Sequence, residues 1–158
     1  MQTTVGISEI KVSQQKDEVL VTYALGSCLG VTIFDPVANV AGMIHCMLPL
    51  SSIDKNKAQD RPAMFIDTGI PLLFKTAYEL GAKKDRMIVK VAGGSRILDD
   101  NGHFKIGERN YITLRKILWK NNVLIKGEDV GGCISRTLYI EVATGRVTLK
   151  TSGQVTEL

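Results

Sequence analysis

Thiols and imidazoles are the scarce reactive groups of this chain, which has cysteines only at 28, 46 and 133 and histidines only at 45 and 103. A free thiol, with a pKa near ~8.5, is mostly protonated at neutral pH and needs a base before it can attack. A neighbouring imidazole supplies that base, and the pair can become thiolate and imidazolium. Cys28 stands in Gly26-Ser27-Cys28-Leu29-Gly30, directly after an apolar run. Small residues there let the main chain approach a substrate and let successive N–H groups converge on an oxyanion. The arrangement is similar in kind to the elbow on which other hydrolases present a nucleophile, without being that motif.

The base search is short. His45 lies on an apolar stretch 17 residues after Cys28, and His103 follows Asp100-Asn101-Gly102 in an expected loop. A third group must orient the ring. Thr22 is the nearest candidate, through its hydroxyl or its carbonyl, and Asp35 is a weaker one. If the imidazole lowers the thiol pKa, Cys28 should alkylate at mildly acidic pH faster than Cys46 and Cys133. The bland alternatives stand beside this one: a Cys after a strand can be a small buried hydrophobe, and a lone His on an apolar strand can be a core residue. Cys46 points away from His45 along its strand, and nothing pairs Cys133 with a base.

The elements that must position these groups are mostly strands. Glu18–Tyr23, Leu29–Phe34, Val40–Leu48, Met87–Val91, Val123–Lys126, Thr137–Val142 and Arg146–Lys150 read as strands. Residues 25–28 form the turn before the second, and the second and third could make a hairpin. Met43, His45 and Met47 would share one face, with Ile44, Cys46 and Leu48 on the other. Ser51–Arg61 reads as an irregular surface loop. Pro62–Leu80 repeats apolar residues every three or four positions and reads as a helix ended by Gly81. Pro71 inside it requires a kink or a restart near Asp67-Thr68, which could then cap it. Ser95–Arg109 reads as irregular or hairpin-like. Asn110 reads as the N-cap of a helix to about Lys120 with a stripe of Tyr111, Leu114, Ile117 and Leu118. Thr144-Gly145 reads as a short hairpin turn. The expectation is one α/β (α+β) domain over residues 1–158.

Bulk properties narrow the classes. The chain has 158 residues, 44% hydrophobic and 23% charged, with a net charge of +4. This is ordinary globular composition. There is no long apolar run for a membrane span, and the N-terminus lacks a signal peptide's pattern, so a cytoplasmic protein is expected. The odd number of cysteines without framework spacing fits free thiols. With no CxxC and no HxxxH pair, a metal site ranks below that reading. Basic residues are scattered and do not alternate with aromatics, so nucleic acid is not an expected partner.

Two Gly-Gly pairs, Gly93-Gly94 and Gly131-Gly132, lack the phosphate-loop patterns and read as close backbone approaches lining a cleft. Arg109 could pin a partner's carboxylate. Several segments together carry a family resemblance. They are Thr22-Tyr23-Ala24-Leu25-Gly26-Ser27-Cys28, Asp35-Pro36-Val37-Ala38, Gly42-Met43-Ile44-His45-Cys46-Met47-Leu48-Pro49, Asp67-Thr68, Lys90-Val91-Ala92-Gly93-Gly94, Ile106-Gly107-Glu108-Arg109-Asn110 and Asp129-Val130-Gly131-Gly132. In order and spacing the chain resembles the chemoreceptor glutamine deamidase family, CheD, nearly end to end.

The resemblance implies that Cys28 is the nucleophile, His45 its base and Thr22 the third member. The residues themselves add oxyanion and turn support from Ser27 and Leu29, and a cleft that Gly93, Gly94, Arg109, Gly131 and Gly132 could line. The resemblance further implies mixed β-sheets in a layered sandwich with two main helices packed outside, similar to bacterial toxin deamidases. The implied reaction converts glutamines on the cytoplasmic helices of chemoreceptors to glutamate with release of ammonia, without metal or organic cofactor. A CheC-type phosphatase is an implied partner of some members. Departures fall at Ala92, where an aromatic is common, at Cys133, where Asn is common, and at Phe65, where Tyr is common; these positions are expected to shape the cleft. The rival readings are a non-catalytic receptor- or CheC-binding module and a thiol hydrolase of another amide or ester.

Overall fold

A computed structural model describes residues 1–96 and 105–158. Its frame is two five-stranded sheets. The strands are β1 (Gln2–Thr4), β2 (Ile10–Ser13), β3 (Val19–Leu25), β4 (Leu29–Asp35), β5 (Val40–Cys46), β6 (Ile88–Gly93), β7 (Ile125–Val130), β8 (Arg136–Glu141), β9 (Val147–Thr151) and β10 (Gln154–Glu157). One sheet runs β1-β3-β8-β9-β10 and the other β2-β5-β4-β6-β7. Both are mixed, because β1 pairs parallel with β3 and β6 parallel with β7. Parallel neighbours need a crossover. Between β6 and β7 the chain passes through helix α3 (Ile106–Lys120).

The layers follow from what each face buries. Leu20, Leu25, Leu138, Ile140 and Leu149 of the first sheet meet Phe34, Ala41, Met43 and Ala92 of the second in one apolar cluster. The opposite face of the second sheet packs Val31, Ile33, Ile44, Val89 and Val91 against α2 (Ile66–Glu79) and α3. This is the expected sandwich with its two main helices outside. Strand β4 is buried at every position because it lies at the centre of its sheet, between β5 and β6.

Several local expectations need correction. The segment Ser51–Arg61 is not irregular. It holds a 3-10 turn (Ser51–Ile53) and a short helix, α1 (Lys55–Asp60), whose first turn is capped by the Asp54 carboxylate accepting from Lys57 N–H. The stretch from Pro62 is a 3-10 turn (Pro62–Met64) followed by α2, which begins at Ile66 and runs unbroken past Pro71. Neither Asp67 nor Thr68 caps it. The Asp67 carboxylate accepts from the N–H and hydroxyl of Ser51, and the Thr68 hydroxyl donates to the Pro62 carbonyl. Strands β1, β2 and β10 carry no strong periodic signal, being short edge or near-terminal pieces. The expected hairpin around Thr144-Gly145 is present, with β8 and β9 antiparallel. Of the stretch Ser95–Arg109, residues 106–109 are already helical, and the Asp100-Asn101-Gly102 turn and His103 lie outside the described residues.

Candidate active site

Strands β4 and β5 form an antiparallel hairpin in which Gly30 stands opposite His45. Cys28 precedes Gly30 by two positions, so it is a diagonal, same-face neighbour of His45. That face is the layer between the sheets. Cys28 is half-buried and packs on the inter-sheet cluster, while His45 is 1% exposed. A Cβ on Gly30 would strike the side chains of Leu25 and Leu138 of the facing sheet.

Thr22 comes from the other sheet. Its Oγ1 lies 2.7 Å from His45 Nδ1 and donates to the Val5 carbonyl at 2.7 Å. A hydroxyl has one proton. Because that proton goes to Val5, the oxygen is left to accept, which places the ring proton on Nδ1 and a lone pair on Nε2. Nε2 is buried and has no hydrogen-bond partner among the described residues. The relay Val5–Thr22–His45 therefore delivers a fixed tautomer with its basic nitrogen unoccupied. The Val5 N–H is itself tied to the Val21 carbonyl, and the His45 main chain is held by Ser8 and Glu9. Just past Thr22, the register of β3 against β8 shifts, and Ala24 adopts φ +58. A bulge with a left-handed alanine bends the chain away from its own sheet and into the Cys28 turn, which opens the other sheet.

The environment corrects the expectation of a poised thiolate. Burial raises the Cys28 thiol, and its own backbone N–H opposes this only in part. Burial also pulls His45 down from 6.5 to about 4. Both charged forms are disfavoured for the same reason, so the resting pair is a neutral thiol and a neutral imidazole. Proton transfer then accompanies attack and does not precede it. Cys46 lies on the helix-facing side of β5 and is wholly buried; burial first, and the neighbouring Cys28 second, push its thiol far up. Cys133 is exposed.

The turn at Gly26–Cys28 is shaped by its carbonyls. That of Gly26 accepts from Ser95 N–H (2.9 Å), that of Cys28 from Gly94 N–H (2.9 Å), and that of Ser27 from the Asn110 amide (3.0 Å). The N–H groups of Ser27 and Cys28 donate to no main-chain carbonyl; that of Cys28 faces only its own thiol. They are the donors available to an oxyanion. Leu29, the other residue expected to support it, is already in the ladder between Cys46 and Gly93.

The Gly-Gly pairs make this packing feasible. A Cβ on Gly93, at φ +114, would fall 2.2 Å from the Cys28 carbonyl oxygen. Gly107 of α3 lies against the backbone of Gly94 and Ser95, where a Cβ would be 2.5 Å from three atoms. Gly131 donates to the Gly93 carbonyl (2.9 Å), which joins the second pair to the first. Arg109 is exposed on α3 and is not brought to the cysteine by any described side-chain bond. Ala92 is buried and stands opposite Gly30 on the side away from His45. Phe65 is wholly buried and bridges Leu48, so it braces the start of α2 and is not part of the cleft surface.

Two residues escaped the sequence reading in their actual roles. Asn110 is not an N-cap; α3 begins at Ile106 after Lys105, and Asn110 is fully buried one turn inside it. Its Nδ2 donates to the carbonyls of Ser27 and Met47, both at 3.0 Å, while Oδ1 is buried without a described partner. Two net bonds of about 1 kcal/mol each are offset by an unmet acceptor costing about 1–3 kcal/mol. Arg136 is 3% exposed, and its guanidinium donates to Asp129, to the Gly93 and Gly131 carbonyls and to Ser95 Oγ. It pins both Gly-Gly turns. Nothing in a strand of a basic chain marks such an arginine, except that its neighbours Gly93, Ser95 and Gly131 have the same motif context.

A buried tautomer-fixed imidazole, a half-buried thiol and backbone donors are the groups that thiol acyl transfer uses. A chemoreceptor glutamine deamidase (probable, CheD 1) of Syntrophus aciditrophicus is 56% identical over 149 residues, 94% of this chain and 93% of that protein. Those of Solibacter usitatus and Pyrococcus abyssi, named in the same probable terms, are 46% and 37% identical over 157 residues each. They cover 99% and 97% of this chain, and it covers 93% and 94% of them. The family model described as CheD chemotactic sensory transduction matches residues 47–151. The chain belongs to the CheD family.

Proposed function

We propose that this protein deamidates glutamine side chains on the cytoplasmic helices of chemoreceptors, with Cys28 as nucleophile, His45 as acid–base and Thr22 as the residue that orients it. The bare Nε2 of His45, fixed by the Thr22–Val5 relay on the same face of the hairpin as Cys28, is the observation that carries this reading. His45 Nε2 takes the Cys28 proton as sulfur adds to the carboxamide carbon, and the N–H groups of Ser27 and Cys28 receive the oxyanion. The imidazolium gives its proton to the departing nitrogen, and ammonia leaves a thioester on Cys28. Neutral His45 then removes a proton from water, which attacks the thioester. Collapse yields glutamate and returns the thiol. Each conversion adds a negative charge to a receptor helix and so alters the electrostatics of its packing.

The relatives' names and the family's place in chemotaxis support the receptor as substrate. They fit a protein working in the cytosol, and among the described residues no helix is long and apolar enough to cross a membrane. A CheC-type phosphatase binding over the cleft would compete with receptor. Mass spectrometry of a receptor cytoplasmic fragment tests the proposal. Exchange of –NH2 for –OH at specific glutamines, absent with Cys28→Ala, is the expected result. A fragment that binds and stays unchanged would instead make the protein a binding module.

A further inference from the structure

We infer that Asn110 is a positioning residue that aims the Cys28 N–H, one of the oxyanion donors, by capturing the carbonyl of the same peptide unit. Its place in turnover rests on the deamidase reading; its effect on Cys28 does not.

Strands β4 and β5 pair from Asp35 opposite Val40 to Leu29 opposite Cys46, and the pairing stops there. Cys28 and Met47 would be the next partners. The strands instead part, and the two hydrogens of Asn110 Nδ2 go one to each side, to the Ser27 and Met47 carbonyls. This use of both hydrogens also fixes which end of the amide is nitrogen. In a trans peptide the C=O and the following N–H point in opposite directions, and no peptide bond here is cis. The Ser27 carbonyl is held toward α3, which covers the helix-facing side of the sheet. The Cys28 N–H therefore points the other way, with no main-chain acceptor and only its own thiol as a described contact. The neighbouring Gly26–Ser27 peptide is fixed in the same manner by Ser95 N–H, which leaves the Ser27 N–H free. Asn110 lies on the opposite side of the sheet from the thiol and touches no reacting group. Its two bonds and its unmet Oδ1 nearly cancel in stability, so geometry is what the side chain contributes.

The test compares two reactions at Cys28 in wild type and in Asn110→Ala, Asn110→Asp and Asn110→Ser. Acylation by p-nitrophenyl acetate passes through an oxyanion, whereas alkylation by iodoacetamide displaces iodide at a saturated carbon and does not. Both are read at the Cys28 peptide by mass spectrometry, which excludes the exposed Cys133. Both rates are read on preparations shown to be folded by circular dichroism, because the exposed thiol of an unfolded chain reacts with either reagent. The ratio of acylation to alkylation should fall by about ten- to a hundredfold in the variants, because the loss of one oxyanion donor costs about a hundredfold or more. Receptor deamidation should fall in kcat with KM nearly unchanged. An unchanged ratio overturns the inference, as does failure of all three variants to fold, which would make Asn110 a structural residue. If wild type acylates at Cys28 but leaves receptor glutamines intact, the substrate reading fails and the Asn110 inference is still decided by the ratio.

Discussion

The two ends of the β4–β5 hairpin treat their buried titratable groups in opposite ways, although the closed end also holds one unmet acceptor, Asn39 Oδ1. At the closed end, Asp35 is inaccessible to solvent and saturated with donors. It accepts from the N–H groups of Val37, Ala38 and Lys83 and from the Arg86 guanidinium, which lies 2.9 Å away. Burial alone would raise its pKa, but Arg86 and then those N–H groups override it and bring it to about 2. At the open end, Nε2 of His45 and Oδ1 of Asn110 are buried with no described partner. One pair of strands thus carries a group placed for stability and, some 20 Å away by strand rise, groups left unsatisfied. Unsatisfied buried atoms are costly; the vacant lone pair of His45 Nε2 is one a reaction can use, whereas that of Asn110 Oδ1 accompanies the two bonds its Nδ2 makes.

That contrast can be broken from either end. The largest effect is expected for Cys28→Ala, which should lower deamidation by about 10³-fold or more while melting as wild type does. Turnover assays and thermal melts on the same preparation check both halves. Asp35→Ala should do the reverse. It removes the buried acceptor of a partly exposed guanidinium and of three N–H groups, so stability should fall by about 2–3 kcal/mol, measured by urea unfolding, with activity per folded molecule retained.

Of similar size is a pH effect on stability. The unfolded chain takes up the His45 proton near 6.5, whereas the folded chain resists until about 4. The stability this group contributes is complete above about 6.5 and is lost as pH falls toward 4, by about 3 kcal/mol in all. The variant His45→Asn should flatten that window in denaturant titrations. Asp35 acts in a separate, lower window, from 3.8 down to about 2. The smallest effect should be that of Thr22→Val, about tenfold in kcat from the loss of one orienting bond. Thr22→Ser, which keeps the hydroxyl, should stay near wild type; a loss equal to that of valine would contradict the relay.

Much of the open end was legible in the chain because reactive residues are few. With two histidines, one of them on an apolar strand, a base for Cys28 could be sought almost by elimination, and strand alternation correctly separated His45 from Cys46. Periodicity also showed α2 and the body of α3. What it could not show was that β3 and β4, joined by a short turn, enter different sheets. That partition rests on the bulge at Ala24 and on long-range packing, neither of which has a local signature. Asn110 resembled a cap because asparagine is disfavoured inside helices. Only the carbonyls of Ser27 and Met47, far away in sequence, explain it. The pKa directions were likewise hidden, since a Cys–His pair suggests an ion pair until burial is known to oppose both charges. For that reason Cys28 alkylation should rise only above the ordinary thiol range and show no acidic plateau.

The thioester on Cys28 is the account's central claim, and hydroxylamine reports on it most directly. Added during turnover on a receptor fragment, it competes with water for the acyl group. Wild type should yield glutamyl hydroxamate at the same glutamines that otherwise become glutamate, and Cys28→Ala should yield neither product. Conversion of those glutamines by Cys28→Ala at the wild-type rate would contradict the account.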